Sequence, residues 1–355
     1  MRVGFVGKMP PTGYSGGRLA ALTYAESLAS AGVSVTFFTN CVPEMAHEFA
    51  EFSAVNYEIG PIGQSQRFQW HHLDWVVIVP HMGDVEIHDN WVNQAVDAGC
   101  KVALLNFESG NWFNSLSNVP RSLDLWEGWQ RVAEGAEIVL SLSEEGSVWA
   151  KKFYESAASE CVFAACYPSI NSRVADGVMS EPTEKTDTIL VLSRKDHHKG
   201  LDMIKHLAMP ELRGFEVVLH LGNGHLEPFH RLKLALQFST VGMRFSVSSA
   251  IAGSKKFAKL ASARALFFPT RFEGFGIPPL EAAYCGTAVI TSDLPVLREF
   301  GKNDFFYFDN ALSHTIRDSA RSALDSCSKQ VDYERLKSIA EFERSGRELK
   351  HILFG

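Results

Sequence analysis

Two glutamates, Glu273 and Glu281, stand eight residues apart where an apolar run is followed by a helical pattern. The run Ala265–Phe268 predicts a buried strand, and the proline pair at 278–279 suits a first helical turn, where no amide hydrogen is needed. A carboxylate can accept hydrogen bonds from two neighbouring hydroxyls, so this spacing suits recognition of a sugar and a ribose. In the simpler interpretation, Glu281 offsets the positive helix end and Glu273 is a solvated loop residue.

The loop between these two glutamates can present backbone amides to a ligand. It contains Gly274, Phe275, Gly276 and Ile277, and it leads directly into the predicted helix. Free backbone amides at such a helix start bind anions or hydroxyl oxygens. Because glycines let a ligand approach the backbone, we expect these four residues to take part in the same binding site as the glutamates.

Two cations, Arg194 and Lys199, follow the strand pattern Thr188–Leu192. Fixed cations at a strand end suit a small phosphorylated ligand without the help of a divalent ion, so we predict no metal. The alternative for both residues is a solvated charged face. Three histidines spaced five apart do not have a familiar zinc spacing: His220, His225 and His230.

A glycine loop near the N-terminus contains Gly16 and Gly17, between the apolar run Val3–Val6 and the helical pattern Arg18–Ala31. It does not spell G-x-G-x-x-G, and the Gly-Lys pair at 7–8 lacks the Ser or Thr of a P-loop. A dinucleotide site or an NTPase site is therefore disfavoured. The simpler interpretation of the two glycines is that they form a tight turn.

Two further polar residues follow apolar runs in the first half, His81 after Trp75–Val79 and Glu108 after Lys101–Leu105. Either is a candidate for the polar partner of a reacting centre, and either is equally a satisfied structural residue. Several aromatic rings follow, for which packing is expected ahead of stacking on a sugar. They are Phe107, Trp112, Phe113, Trp126 and Trp129.

Charge is distributed unevenly along the 355 residues. Residues 1–168 contain 9 Lys+Arg and 19 Asp+Glu, a balance of −10, whereas the remainder contains 25 and 22, a balance of +3. An acidic first half disfavours nucleic acid as a partner and gives little support to peripheral membrane contact. Six scattered cysteines and the lack of a long apolar run predict reduced thiols and a cytoplasmic location.

Short apolar runs alternate with helical patterns throughout, which is typical of parallel α/β layers. The turn-rich, weakly apolar stretch 167–184 predicts a domain boundary, and Tyr333–Leu353 has a helical pattern. Ten strands are predicted: Val3–Val6, Val33–Phe38, Trp75–Val79, Lys101–Leu105, Ile138–Leu142, Thr188–Leu192, Glu216–Leu221, Arg244–Val247, Ala265–Phe268 and Ala288–Thr291.

Residues 269–293 resemble the E-x7-E signature of retaining glycosyltransferase family 4. Residues 191–204 resemble the family's strand-end segment, with Arg194 and Lys199 spaced R-x4-K. Residues 219–224 resemble the next strand and its glycine turn, and residues 13–39 resemble the N-terminal glycine loop, helix and second strand. These stretches occur in the family's order over most of the chain.

The resemblance implies an α/β fold with two Rossmann-like domains facing a central cleft (GT-B). Residues 1–168 would form the acceptor domain and 169–335 the nucleotide-sugar domain, with a C-terminal helix of about 336–355 crossing back to the first. The family pattern assigns the ribose to Glu281 and the donor sugar's hydroxyls to Glu273. It assigns the diphosphate to a set of cations and glycines: Arg194, Lys199, Gly16 and Gly17.

The function implied is transfer of a hexose-type sugar from a UDP- or GDP-linked donor, with retention of anomeric configuration. The acceptor would be a hydroxyl of a glycan, a lipid-linked intermediate or a small molecule, in bacterial-type polysaccharide or glycoconjugate synthesis. The nucleotide-sugar is a substrate, so no cofactor is expected. The alternatives are a non-catalytic sugar-nucleotide-binding protein and a sugar phosphorylase or epimerase of the same fold; an NAD-dependent oxidoreductase is more distant. Oligomeric state is not predicted.

Overall fold

The computed structural model describes residues 1–13, 15–63, 68–158, 160–222, 224–325 and 331–355. Three residues of the patterns named above lie outside them: Tyr14, Asn223 and Cys327. The chain divides into two units. Unit 1 comprises Met1–Leu116, Pro120–Ser169 and Glu341–Gly355, and unit 2 comprises Ser117–Val119 and Ile170–Ala340. The sequence predicts that the first domain ends at residue 168 and that the chain returns to it at about residue 336. In the structure, unit 1 extends to Ser169, and the chain rejoins it at Glu341.

The described part of unit 1 contains a parallel sheet of seven strands. They are β1 (Arg2–Val6), β2 (Ser34–Thr39), β3 (Asn56–Ile59), β4 (Trp75–Ile78), β5 (Lys101–Asn106), β6 (Ile138–Ser141) and β7 (Val162–Ala165). Their order in the sheet is β3-β2-β1-β4-β5-β6-β7. The five strands predicted in this half are confirmed to within one residue. The sequence patterns do not reveal β3 and β7, which are short edge strands without fully buried residues.

Helices connect most of these strands along the chain. Those of unit 1 are α1 (Gly16–Ser30), α2 (Val85–Asp97), α3 (Gly110–Leu116), α4 (Glu127–Glu134), α5 (Glu144–Tyr154) and, at the end of the chain, α13 (Phe342–Phe354). The strand order reverses between β1 and β4, the place where sheets of this kind bind ligands at their carboxyl ends.

The last helix, α13, packs directly against α1. Ser345 Oγ donates to Ser27 Oγ at 3.0 Å, and Lys350 Nζ donates to the Ala31 carbonyl at 2.9 Å. Gly346 lies so close to Ser27 that a Cβ there would overlap the Ser27 carbonyl. The predicted return of the C-terminal helix to the first domain is therefore confirmed.

Unit 2 contains a parallel sheet of six strands within the described residues. They are β8 (Thr186–Ser193), β9 (Glu216–Leu221), β10 (Arg244–Ser249), β11 (Ala263–Phe268), β12 (Ala288–Ser292) and β13 (Phe306–Phe308). Their order is β10-β9-β8-β11-β12-β13, so the order reverses between β8 and β11. The five predicted strands are confirmed to within two residues, and the three-residue β13 is too short to give a pattern. Two Rossmann-like α/β domains, as predicted, are confirmed.

The helices of unit 2 differ from the sequence prediction in two places. They are α6 (Ser172–Met179), α7 (Pro228–Thr240), α8 (Gly253–Ser262), α9 (Ile277–Tyr284), α10 (Pro295–Gly301), α11 (Ser313–Asp325) and α12 (Tyr333–Ala340). The stretch 167–184, predicted to be a turn-rich boundary, contains α6. Asn171 caps the start of this helix, because its side chain accepts a hydrogen bond from the Val174 amide at 3.3 Å. The single helix predicted over 333–353 is two helices, because Glu341 leaves the helical conformation at ψ 127°.

Three general features complete the fold. Five cysteines of the described segments are free thiols: Cys41, Cys100, Cys161, Cys166 and Cys285. In the same segments no group of three His, Cys, Asp or Glu side chains is arranged to hold a metal ion. No helix of the described segments is both long and apolar enough to cross a bilayer.

Candidate functional site

The point in unit 2 where the strand order reverses brings two predicted segments together. β8 and β11 are neighbours in parallel register, with Leu190 opposite Leu266. Arg194 and Lys199 follow the end of β8, and Glu273 follows the end of β11. Because the carboxyl ends of parallel strands lie at one edge, residues 74 positions apart become neighbours.

Lys199 and Glu273 form an ion pair at this edge. Lys199 Nζ donates to Glu273 Oε1 at 2.5 Å, and the two side chains are only 15% and 11% exposed. A charge-assisted hydrogen bond between sheltered partners is shorter and stronger than a neutral one. At this burial, Glu273 is not a solvated loop residue, and Lys199 does not lie on a solvated face.

The loops that carry the pair are fastened to each other. Gly200 has φ 57°, and a Cβ there would lie 3.1 Å from the Pro269 carbonyl group. The Arg271 amide donates to the His198 carbonyl at 2.7 Å, and the Arg271 guanidinium binds both carboxylate oxygens of Asp202 at 2.9 and 2.8 Å. These hydrogen bonds lower the pKa of Asp202. Sequence reasoning did not select Arg271, although a basic residue two positions before Glu273 is a visible signal.

Arg194 has its ionic partner within its own loop. Its Nε lies 2.6 Å from Asp196 Oδ2, at an angle that makes no hydrogen bond, and both side chains are 35% exposed. The Asp196 amide donates to the Arg194 carbonyl at 2.9 Å, which closes the turn. The guanidinium is therefore held at the carboxyl edge of β8 and remains accessible there.

Glu281 lies in a buried ion pair instead of an open pocket. Lys256 Nζ, from α8, donates to Glu281 Oε1 at 2.6 Å, and both side chains are 4% exposed. Lys256 was not selected from the sequence, because a lysine in an amphipathic helix usually marks the solvated face. The assignment of Glu281 to a ribose stays a prediction, with its carboxylate now known to be anchored.

The loop before α9 is packed into unit 2. Gly276 has φ 103°, and a Cβ there would lie 2.5 Å from Leu297. Both the backbone conformation and the lack of space therefore require glycine at this position. The Phe275 ring stacks on Phe300 with centroids 4.7 Å apart, and Ile277 is 7% exposed. The side chains of Phe275 and Ile277 therefore serve packing, and the binding predicted for this loop, including Gly274, would use its backbone.

The predicted residues of unit 1 occupy the corresponding edge of its own sheet. Gly16 is exposed and a Cβ there would meet nothing within 4 Å, whereas a Cβ at Gly17 would lie 3.1 Å from the Phe107 ring. Glu108 lies 3.6 Å from the Arg121 guanidinium, which covers the ring of Phe113 at 4.1 Å. Gly17 thus has a packing reason to be glycine, and Glu108 is already paired.

His81 forms a hydrogen-bonded pair with Asp84, Nε2 to Oδ2 at 2.5 Å. Burial lowers the pKa of His81, while Asp84 opposes that shift. The Trp129 indole donates to the His81 carbonyl at 3.2 Å. Packing, the preferred interpretation of the aromatic tract, is confirmed for four buried rings: Trp112, Phe113, Trp126 and Trp129.

A family model and one curated relative match parts of this chain. Residues 179–338, most of unit 2, match the model described as glycosyl transferases group 1, which supports a glycosyltransferase. The O-antigen chain mannosyltransferase RfbU of Salmonella typhimurium is 49% identical over 47 residues. That stretch is 13% of this chain and 13% of the relative.

Solved structures resemble the whole chain in fold. The Anabaena protein HepE, solved in complex with UDP, has TM-score 0.69 and 13% identity, with 99% of each chain covered. Sucrose-phosphate synthase from Thermosynechococcus elongatus has TM-score 0.66 and 15% identity, with 100% of this chain and 95% of that one covered. At these identities the likeness establishes the fold alone.

Proposed function

We propose that this chain is a retaining glycosyltransferase of family 4 that moves a hexose-type sugar from a nucleoside diphosphate-sugar to a hydroxyl. The observation that carries the proposal is the sheltered Lys199–Glu273 pair at the strand-order reversal of unit 2. Ligands of doubly wound sheets bind at that point. The match of residues 179–338 to the glycosyl transferases group 1 model supports the same assignment.

The two cations serve the departing diphosphate. Lys199 has three N–H donors and uses one on Glu273 in the contact described, so it can hold the carboxylate and a phosphate oxygen together. Arg194, which is 35% exposed at the end of β8, offers a planar fork that matches phosphate oxygens. As the sugar–phosphate bond breaks, both cations stabilise the charge that develops on the leaving group, without a divalent ion.

The two glutamates bind hydroxyls. Lys199 fixes Glu273 Oε1 and so sets the orientation of the carboxylate. In that orientation the carboxylate accepts hydrogen bonds from the donor sugar's hydroxyls. Glu281 is proposed to bind the ribose, with Lys256 holding its carboxylate in a fixed orientation. A carboxylate held by a partner recognises a hydroxyl with little further loss of side-chain entropy.

Retention is proposed to follow from attack on the face that the diphosphate leaves. The bond between the anomeric carbon and the phosphate oxygen breaks, a bond to the acceptor oxygen forms, and the acceptor proton passes to the departing phosphate. This route needs no carboxylate nucleophile, and it agrees with Glu273 being tied to Lys199 in unit 2 and, separately, with Glu108 being paired with Arg121 in unit 1.

Donor and acceptor classes are proposed from the relatives. HepE was solved with UDP, and RfbU is an O-antigen chain mannosyltransferase. A UDP- or GDP-linked hexose is therefore the proposed donor. The acceptor would be a glycan, lipid-linked or small-molecule hydroxyl in polysaccharide or glycoconjugate synthesis.

Nucleotide binding tests the proposal. Thermal unfolding would be followed with UDP, GDP and NAD, all with a chelator present, for the unchanged chain and for Glu273→Gln. A nucleotide at 100 times its Kd adds about 2.7 kcal/mol to the free energy of unfolding, which is a readable shift. Stabilisation by UDP or GDP, with turnover of the sugar conjugate, supports the transferase. Stabilisation without turnover would favour a binding protein, and stabilisation by NAD alone would contradict the proposal.

A further inference from the structure

Helix α7 of unit 2 carries large apolar side chains on its outward face. Phe229, Leu232 and Leu236 are 80%, 56% and 57% exposed. Their spacing of three and four residues places them together on one side of the helix, and they are called the α7 stripe below. No other helix of the described residues exposes more than one large apolar side chain to this degree. The α7 stripe is therefore a patch and not a scatter of single exposed residues.

This helix is apolar on two opposite sides. Leu234 and Phe238 are 5% and 0% exposed and pack into the core of unit 2. At about 100° per residue, they lie opposite Phe229 and Leu236. A surface helix of a globular protein normally turns polar and charged residues away from the core. Packing of unit 2 therefore accounts for one side of α7 and leaves the other to a partner.

The neighbours of α7 leave the stripe uncovered. Gln237 Nε2 donates to the Lys205 carbonyl at 2.9 Å, which ties the helix to the short helical segment Leu201–Leu207. The strand that follows α7 is β10, the last in the order of the sheet. The helix is thus fastened at the margin of unit 2, with its apolar outward face exposed.

The charge beside the α7 stripe is positive. α7 contains Arg231 and Lys233 but no acidic residue, not even in its first turn, where one would stabilise the helix. Lys233 follows Leu232 directly and lies four residues after Phe229, so it borders the stripe. Both cations are exposed, and no carboxylate of the described residues lies within 4.0 Å of either.

Two carboxylates near the helix are already bound to other cations. Glu227, directly before α7, accepts from Lys195 Nζ at 3.1 Å. Asp202, in the segment that Gln237 ties to α7, binds the Arg271 guanidinium through both oxygens. The charge left to a partner is therefore that of the α7 cations, which complements an anionic surface.

We propose that α7 docks this chain on an anionic lipid bilayer. The helix lies in the plane of the interface, with the α7 stripe at the boundary of headgroups and acyl chains and with Lys233 at the lipid phosphates. Helices that bind membrane surfaces combine a face rich in Phe and Leu with Lys and Arg. A lysine stem can follow the apolar surface while its ammonium stays among the headgroups.

A second copy of this chain fits the same face less well. A symmetric contact brings the same surface of both copies together, so it would place the cations of one α7 near those of the other. Like charges in such a contact oppose binding. The inference does not depend on the proposed function, because it uses no residue of the candidate site.

Binding of the full chain to vesicles tests the docking surface. Co-sedimentation would compare phosphatidylcholine vesicles with and without phosphatidylglycerol, and we expect binding to the anionic vesicles that weakens with added salt. Phe229→Ser with Leu232→Ser should lower the partition coefficient at least tenfold. Lys233→Gln should lower it about fivefold.

Matched controls come from unit 1. Val96 and Val148 are helix residues 56% and 51% exposed, and Lys151 is an exposed lysine of α5. Val96→Ser with Val148→Ser, and Lys151→Gln alone, should leave the partition coefficient unchanged. All the replaced side chains are exposed, and unfolding curves would verify that each variant is folded.

Two results would overturn the proposal. The first is a lack of binding to anionic vesicles, or equal binding by the α7 variants and their controls. The second is a dimer in sedimentation equilibrium that Phe229→Ser with Leu232→Ser converts to a monomer, because the stripe would then be a contact between protein chains. Sugar transfer or nucleotide binding decides neither result, so the proposed function is tested separately.

Discussion

Lys199 and Glu273, 74 residues apart in sequence, place Nζ and Oε1 2.5 Å from each other at the edge where β8 and β11 end. One side chain is suited to phosphate and the other to hydroxyls, which are the two chemical parts of a nucleotide-sugar. Their contact joins the R-x4-K segment to the E-x7-E segment. The pair therefore converts two separate sequence patterns into one candidate site.

Loss of the Lys199 charge should impair sugar transfer. Lys199→Gln is expected to lower kcat by about 100-fold or more, because removing one fixed donor to a developing charge has that effect in other enzymes. The matched control is Lys195→Gln, in the same loop, where the lysine is 50% exposed and bound to Glu227 at 3.1 Å. Initial rates of nucleotide release measure both. Equal rates for the two variants would remove Lys199 from the mechanism.

The Glu281–Lys256 pair should matter for stability as well as for binding. Glu281→Ala leaves a charged lysine buried, which is expected to cost about 3–5 kcal/mol of the free energy of unfolding. The double change Glu281→Leu with Lys256→Met should recover most of that loss. Urea unfolding measures each. The exposed pair Lys101–Glu137, 3.4 Å apart, is the control and should contribute at most about 1 kcal/mol.

The buried Glu281–Lys256 pair also determines how the proposed contact between Glu281 and the ribose can be tested. A Glu281→Ala variant that fails to bind nucleotide is ambiguous if the protein has partly unfolded. Glu281→Gln keeps the shape and one acceptor oxygen, and it should be judged only at temperatures where its unfolding curve shows a folded protein. Undiminished nucleotide affinity in folded Glu281→Gln would argue against the ribose contact.

Acid should destabilise the protein through His88, which is fully buried. Burial first, and His81 next, lower the pKa of His88 from 6.5 to about 3. The folded state therefore favours the neutral ring. The free energy of unfolding that the neutral ring contributes is complete above pH 6.5 and is lost as the pH falls from there towards 3. The loss at pH 5 should be roughly 2 kcal/mol. Unfolding at pH 7.5 and 5.0 should show a smaller difference in His88→Gln, and an undiminished one in exposed His314→Gln.

The sequence predicts the sheets better than it predicts the partners of the site residues. Ten strands are visible because buried parallel strands are continuous apolar runs. The edge strands β3, β7 and β13 are short or partly exposed and leave no such run. Order along the chain does place Lys199 and Glu273 at strand ends, since ligands collect there in parallel sheets.

The contacts of these residues depend on tertiary packing that no local pattern contains. Lys256 looks like a solvated helix residue until α8 packs beside α9 and buries it against Glu281. Arg18 follows a glycine loop in the sequence, but its hydrogen bond to the Val79 carbonyl, 61 residues further along, is visible only in three dimensions. Phe275 lies in a signature loop and nevertheless turns inward to stack on Phe300.

The return of α13 to unit 1 should depend on a single glycine. A Cβ at Gly346 would overlap the Ser27 carbonyl, so Gly346→Ala must separate α13 from α1 and is expected to cost about 2 kcal/mol or more. Gly177→Ala in α6 is the control, since nothing lies within 4 Å of its position and helix propensity favours alanine. Denaturant unfolding compares them. A Gly346→Ala protein as stable as the control would mean that the two helices do not pack this closely.

The most direct test of the account is the stereochemistry of the transferred sugar. UDP- and GDP-hexoses would be incubated with mono- and oligosaccharide acceptors and a chelator, and the anomeric proton of the product read by NMR. The account predicts transfer without added metal and an α-linked product from an α-linked donor, lost in Glu273→Gln and retained in Lys195→Gln. A β-linked product, or transfer that survives Glu273→Gln unchanged, would contradict it.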